Sequence, residues 1–129
     1  VKLTNLREMI GLQLQLDPPQ ELAGNFKKIL QMAKQKISSW DGRFYIVYLH
    51  SRERYESGVE WPGYFREFAL RTASELEIPV IDIHKQVFEP HSDPLSLFPY
   101  RTGWHYNAEG YRLVTEAIVE RLRADDVLQ

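Results

Sequence analysis

Polar side chains capable of acid–base chemistry follow two apolar segments of this chain. His50, Ser51 and Arg52 come directly after one segment, and Asp82 stands near the end of the other. If both segments are strands of an open parallel sheet, these side chains lie at its carboxyl edge, where binding and catalytic sites form in such sheets. A further candidate, His105, lies just before the last helical pattern and can reach the same edge.

The chemistry open to these residues is proton transfer. An imidazole can remove a proton from a hydroxyl nucleophile and later return it to a leaving group. Ser51 is a poor nucleophile candidate because it lacks the glycine neighbours that a tight nucleophile turn needs. His50, His84 and His91 match no zinc-binding spacing with His105, and the chain has no cysteine. We therefore expect neither a metal nor a cofactor.

Five segments must position these residues. Apolar residues at helical spacing predict helices over residues 20–38, over 64–76 and from Asn107 onwards, with Asn107 as N-cap. Apolar runs at 44–49 and 79–83 predict strands, the first covered on both faces as in parallel sheets. This order favours an α/β fold with right-handed crossovers. The last helix is predicted to bury one stripe, made of Tyr111, Val114, Ala117, Ile118 and Leu122.

Two clear strands are too few for a complete doubly wound sheet, which has roughly five or six. Residues 12–16 alternate leucine with glutamine, as a half-buried strand or an extended segment does. A free strand edge that carries Ile46 and Val47 would be prone to association. We therefore interpret residues 1–129 as a single domain, the C-terminal portion of a larger protein. A homodimer or an upstream domain is expected to complete the sheet.

The composition argues against several classes of protein. The chain has 129 residues, a net charge of −2 and 43% hydrophobic residues, which suits one ordinary domain. This balance gives no general attraction to nucleic acid, and no basic run is interleaved with aromatics. No uninterrupted apolar stretch approaches the roughly 20 residues that cross a bilayer. We expect a soluble chain that does not bind nucleic acid, and the lack of cysteine leaves the compartment open.

Residues 103–114 read Gly-Trp-His-Tyr-Asn-Ala-Glu-Gly-Tyr-Arg-Leu-Val. This segment resembles the last conserved block of the GDSL/SGNH hydrolases, in which a histidine stands just before an Asn-x-x-Gly helix start. Residues 46–52 are similar to the family's penultimate core strand, and 78–83 to its last strand with an aspartate near the end. The resemblance runs in order over residues 25–123. It implies a three-layer α/β/α sandwich with a flavodoxin-like parallel sheet, present here as its C-terminal portion.

The resemblance also implies that His105 is the general base and acid of a serine-dependent acyl-ester hydrolase. The family's Gly-Asp-Ser nucleophile block and Gly-x-Asn-Asp oxyanion block have no counterpart in this chain. In the family those blocks lie upstream of the matched region, so we expect the isolated chain to be inactive. The substrate would be a small-molecule or carbohydrate acyl ester. The parent protein would be exported or anchored in a bacterial envelope.

The group that orients the imidazole of His105 is left open by the sequence. The family usually has an aspartate three residues before the histidine, where this chain has Thr102. Asp82 and Asp93 are the other candidates, and a backbone carbonyl can also accept the ring N–H. The candidates for lining the substrate pocket are Ser51, Arg52, Arg101 and Trp104.

Two alternative functions remain. An O-acyltransferase acting on a cell-envelope polysaccharide would use the same residues but exclude water from its acyl-enzyme. A non-catalytic binding or assembly module would retain the fold without the chemistry. The threonine at the position of the family's acid favours this second alternative, because Thr102 cannot stabilise an imidazolium by charge.

Overall fold

The computed structural model describes residues 18–56 and 64–128. The three predicted helices are present as α1 (Gln20–Ser38), α2 (Tyr64–Glu75) and α3 (Ala108–Ala124). The two predicted strands are present but short, as β1 (Ile46–Tyr48) and β2 (Val80–Asp82). The strand or extended segment predicted at residues 12–16 lies outside the described residues.

The two strands form a parallel pair, as predicted. Ile46 is paired with Val80 and Tyr48 with Asp82, and the N–H of Ile46 donates to the carbonyl of Pro79 at 3.0 Å. The described chain is therefore a mixed, helix-rich structure around a small parallel sheet, in agreement with the α/β class. Because both strands run in the same direction, residues that follow β1 and β2 emerge at the same edge of the sheet.

The core has two parts. The larger cluster lies between the sheet, the connecting segment and α3; the smaller one lies beneath α1 and α2. The buried members of the larger cluster are Ile81, Ile83, Val87, Phe88, Leu97, Phe98, Tyr106 and Val114. The smaller cluster contains Leu30, Ala73 and Ile78. The segment leading to α3 is thus held in the larger cluster by the buried side chains of Leu97 and Phe98.

Two burial predictions were wrong. Tyr111 is 51% exposed, because it lies at the edge of the α3 stripe with its ring against the edge of Tyr106 at 5.7 Å. Val114 of the same stripe is buried as predicted. Val47 of β1 is 37% exposed, so this strand is not covered on both faces by the described residues.

The segment between β2 and α3 contains short helical turns where the sequence indicated only a long loop. A π-helical turn spans His84–Phe88, and 3₁₀ turns span Pro94–Leu97 and Pro99–Arg101. Tyr100 and Arg101 both have left-handed backbones, with φ of 53° and 60°. Two successive non-glycine residues in this region are costly and persist only where their surroundings impose them.

The start of α3 is fixed by its cap. The side chain of Asn107 accepts a hydrogen bond from the N–H of Gly110 at 2.9 Å, as predicted for an N-cap residue. The N–H of Asn107 donates to the carbonyl of Leu97, also at 2.9 Å. A Cβ on Gly110 would lie 2.7 Å from that same carbonyl oxygen, so only glycine permits this approach. The segment before α3 therefore has a fixed exit point.

Within the described ranges, no helix combines the length and apolar character needed to cross a membrane.

Candidate functional site

Tyr106, which lies between His105 and α3, is hydrogen-bonded to the backbone just after β1. Tyr106 is buried, and its hydroxyl donates to the carbonyl of His50 at 2.7 Å while accepting from the N–H of His50 at 3.0 Å. Burial raises the pKa of the Tyr106 hydroxyl, so it remains protonated and able to donate. The backbone that carries His105 is therefore attached to the carboxyl end of β1.

His105 itself is exposed, and so is the residue before it. Trp104 is 76% exposed, and its ring lies 5.8 Å from the guanidinium of Arg52, within the range of a cation–π contact. The structure thus brings together Arg52 and Trp104, two of the residues that the sequence offered as pocket lining. Ser51 is only partly buried as a residue, but its hydroxyl oxygen is buried.

The candidate orienting groups do not reach His105 by a hydrogen bond. Asp82 is ion-paired with Arg66 and accepts from the N–H of Lys85 at 3.4 Å. Thr102 is exposed, and its backbone N–H donates to the carbonyl of Pro99. No hydrogen bond between Thr102 and His105 is present among the described residues.

Asp93 is paired with Arg101 instead. Two hydrogen bonds of 2.7 and 2.8 Å join its carboxylate to the guanidinium, and this pairing lowers the pKa of Asp93. The pair spans the left-handed turn at Tyr100 and Arg101, so it braces the bend that precedes Trp104. Because both partners are largely exposed, its contribution to stability is small. Arg101, predicted to line a pocket, thus serves first as the partner of this carboxylate.

A second group of polar rings lies beneath this edge. His50 is 4% exposed, and its ring centroid lies 4.7 Å from that of His84 in an edge-on arrangement. The hydroxyl of Tyr55 is 2.8 Å from Nδ1 of His84. Nε2 of His50 is buried and has no hydrogen-bond partner among the described residues. The sequence marked His50 as a strand-end residue but gave no sign that it touches His84.

The surroundings of His50 and His84 favour the neutral form of each imidazole. Burial lowers the pKa of His50 to about 4, and the positive charge of Arg54 adds to the effect. Burial and Arg54 also lower the pKa of His84. A charged imidazole is disfavoured here because it would lose hydration next to existing positive charge. These rings are therefore unsuited to act as the exposed proton acceptor, a role that only His105 among the four histidines has the exposure to fill.

Tyr55 and Tyr106 are site residues that sequence reasoning missed. Tyr55 stacks on the buried ring of Phe88 with centroids 5.1 Å apart, and Tyr106 packs against the same ring in a tilted arrangement at 5.2 Å. Tyr106 was within reach of the sequence, since it adjoins His105, but nothing in the pattern distinguishes a core tyrosine from an anchoring one. Tyr55 lies in the 3₁₀ turn Arg52–Tyr55, a structure too short to leave a periodic signal.

The described residues also form a cleft away from this edge, and its lining includes His91, Glu116 and Glu120. This cleft of about 670 Å³ lies between the π-helical turn and α3, and is also lined by Gln86, Pro90, Leu113 and Arg121. It includes neither His50 nor His105. In the described part of the chain, no three histidine, aspartate or glutamate residues are arranged to hold a metal ion. No protein family, curated protein or solved structure matches this chain, so the site stands on its own geometry.

Proposed function

We propose that this chain is the C-terminal part of a serine-dependent acyl-ester hydrolase of the GDSL/SGNH type, with His105 as general base and acid. The observation that carries the proposal is the situation of His105. Its ring is exposed, while the next residue, Tyr106, is buried and hydrogen-bonded to the end of β1. An exposed imidazole on an anchored backbone, beside the carboxyl edge of a parallel sheet, is suited to meet a hydroxyl supplied from elsewhere.

The proposed chemistry is acyl transfer to serine and then to water. His105 accepts the serine proton as the serine oxygen bonds to the acyl carbon, and the resulting imidazolium protonates the departing alkoxide. In the second half, the imidazole removes a proton from water as the water oxygen attacks the acyl-enzyme, and it returns that proton to serine. The serine and the oxyanion donors would come from the parent protein upstream of the matched region.

A small-molecule or carbohydrate ester is the substrate class that fits the surroundings of His105. Trp104 presents an exposed indole directly beside it, and aromatic faces provide apolar contact for sugar rings and acyl groups. The carboxylates nearby in the described structure are already paired with arginine, as Asp93 is with Arg101. The proposal therefore includes a neutral ester, with the acyl group or sugar lying against Trp104.

The three-layer, flavodoxin-like arrangement also forms part of the proposal. It is supported by apolar surface that the described residues leave uncovered: Val47 on the sheet, and Leu22, Ile29 and Met32 on α1. Burying such side chains is favourable, at roughly 25 cal/mol for each Å² of apolar area removed from water. Further strands and a facing layer, from an upstream domain or a second copy, would cover them.

The decisive experiment replaces His105 in the full-length parent protein. His105→Ala is expected to lower turnover of an acyl ester by a factor on the order of 10² to 10⁴, the usual contribution of a general base. His91→Ala is the matched control, since His91 lies on the same connecting segment and its ring nitrogen accepts from the N–H of Asp93. Undiminished turnover in a folded His105→Ala variant would remove His105 from the mechanism.

A non-catalytic binding or assembly module is the second candidate. It is favoured by the absence, within the described structure, of any carboxylate hydrogen-bonded to His105, and by the exposed Thr102 at the position of the family's acid. An acyl-directed serine probe distinguishes the two functions. Covalent labelling of the full-length protein supports the hydrolase, whereas failure to label supports the module.

A further inference from the structure

We propose that Arg52 is a positioning residue for His105, acting through the indole of Trp104. The inference deepens the proposed function and rests on it for the role of His105. It assigns Arg52 a task other than the substrate contact expected from its place after β1. The guanidinium supports the exposed indole, and the indole fixes the backbone that enters His105.

Ion pairs hold the guanidinium of Arg52 in place independently of its contact with Trp104. Its side chain is only 11% exposed and is ion-paired with Glu56, four residues on, and with Glu53 at 3.8 Å. Nε of Arg52 is buried without a hydrogen-bond partner in the described structure. Because two carboxylates already pair with this guanidinium, an anionic substrate would have to compete with them for it. The planar face of this fixed guanidinium remains available for contact with an aromatic ring.

Trp104 needs such a support. An indole that is 76% exposed has little else to hold it, yet its ring lies 5.8 Å from the guanidinium carbon of Arg52. Arginine suits this contact because its planar, weakly hydrated guanidinium stacks on aromatic faces, whereas the lysine ammonium is a compact, strongly hydrated charge. The contact therefore depends on the shape of the arginine as well as on its charge.

Together with Tyr106, this contact places His105 between two anchors. Tyr106 follows His105 and is bonded to the peptide groups of His50, while Trp104 precedes it and lies on Arg52. The two residues that they contact, His50 and Arg52, both follow β1 and are two positions apart. Since adjacent Cα atoms are only about 3.8 Å apart, fixing both neighbours restricts the backbone of His105 on each side.

The test is nuclear magnetic resonance of the 129-residue chain without substrate. Arg52→Lys keeps the charge but removes the planar face, and it is expected to shift both the Trp104 indole N–H resonance and the His105 imidazole resonances. Arg112→Lys is the matched control, because Arg112 is also paired with two carboxylates, Glu109 and Glu116, but contacts no aromatic ring in the described structure. Its effect on both sets of resonances should be smaller.

Trp104→Leu provides the second arm and avoids the risk that replacing Arg52 unfolds its turn. Since Trp104 is exposed, its loss leaves no core cavity, and the His105 resonances should move as they do in Arg52→Lys. If the His105 resonances stay in place in Trp104→Leu, the proposed route through the indole is refuted. If Arg52→Lys shifts them no more than Arg112→Lys, Arg52 is not a positioning residue. Neither result depends on esterase activity, so each is separable from failure of the proposed function.

Discussion

The hydroxyl of Tyr106 joins the segment before α3 to the backbone of His50, and the effect of removing it on stability can be worked out from the structure. Tyr106→Phe deletes one oxygen and keeps the ring, which packs against Phe88 and Phe98 with centroids 5.2 and 5.3 Å away. The variant thus leaves the core intact. What it removes are the two hydrogen bonds that join the segment before α3 to the peptide groups of His50.

The cost follows from the burial of those peptide groups. His50 is 4% exposed, so its N–H and carbonyl cannot readily exchange the tyrosine hydroxyl for water. Each lost hydrogen bond costs about 1 kcal/mol, and more where a buried group is left unsatisfied, which gives a destabilisation of about 2 kcal/mol. For a chain of this length, the typical entropy of unfolding converts that into a decrease in Tm of about 7 °C.

The assay combines urea denaturation with amide hydrogen exchange. Tyr106→Phe should lower the free energy of unfolding by the stated amount and accelerate exchange of the His50 amide, which loses its acceptor. Tyr111→Phe is the matched control, since Tyr111 lies on α3, its ring contacts that of Tyr106, and the residue is 51% exposed. It should change stability by less than about 0.5 kcal/mol. Equal stability of the two variants, with His50 exchange unchanged, would refute the anchoring role of Tyr106.

Two further predictions concern acid stability and association. Because the pKa of His50 is lowered to about 4 from about 6.5, the unfolded chain binds more protons between these values, so the free energy of unfolding should decrease as pH falls from 6.5 to 4. His50→Gln should weaken this decrease, and an identical pH dependence in both proteins, measured by urea denaturation, would contradict the assignment. The exposed Val47 on a strand with one described neighbour predicts concentration-dependent association, which Val47→Lys should reduce. A monomer at every concentration in sedimentation would count against it.

Local pattern was sufficient to predict the three helices and two strands of the described residues, although not the short helical turns between them. The helix at Gln20–Ser38 begins and ends where its apolar spacing does, and Asn107 caps α3 as its residue type predicts. Such features depend on residues three or four apart, which the sequence displays directly. The parallel pairing of β1 with β2 also followed, because a helix between two strands requires a crossover. The strands came out shorter than their apolar runs, since pairing with a neighbour, and not composition, sets where a strand ends.

Tertiary structure alone decided which of the polar side chains meet. The sequence marked His50, Arg52 and His105 as edge residues, but the contacts of Tyr106 with His50 and of Trp104 with Arg52 join positions more than fifty residues apart. No short-range pattern encodes such contacts, because they depend on how the segment before α3 folds back over the sheet. The same reason explains why the sequence left open which group orients His105: the partner of a strand-end aspartate is set by the packing, and Asp82 is ion-paired with Arg66. The sequence thus determined the elements and the kinds of groups present, and the packing of the connecting segment decided their contacts.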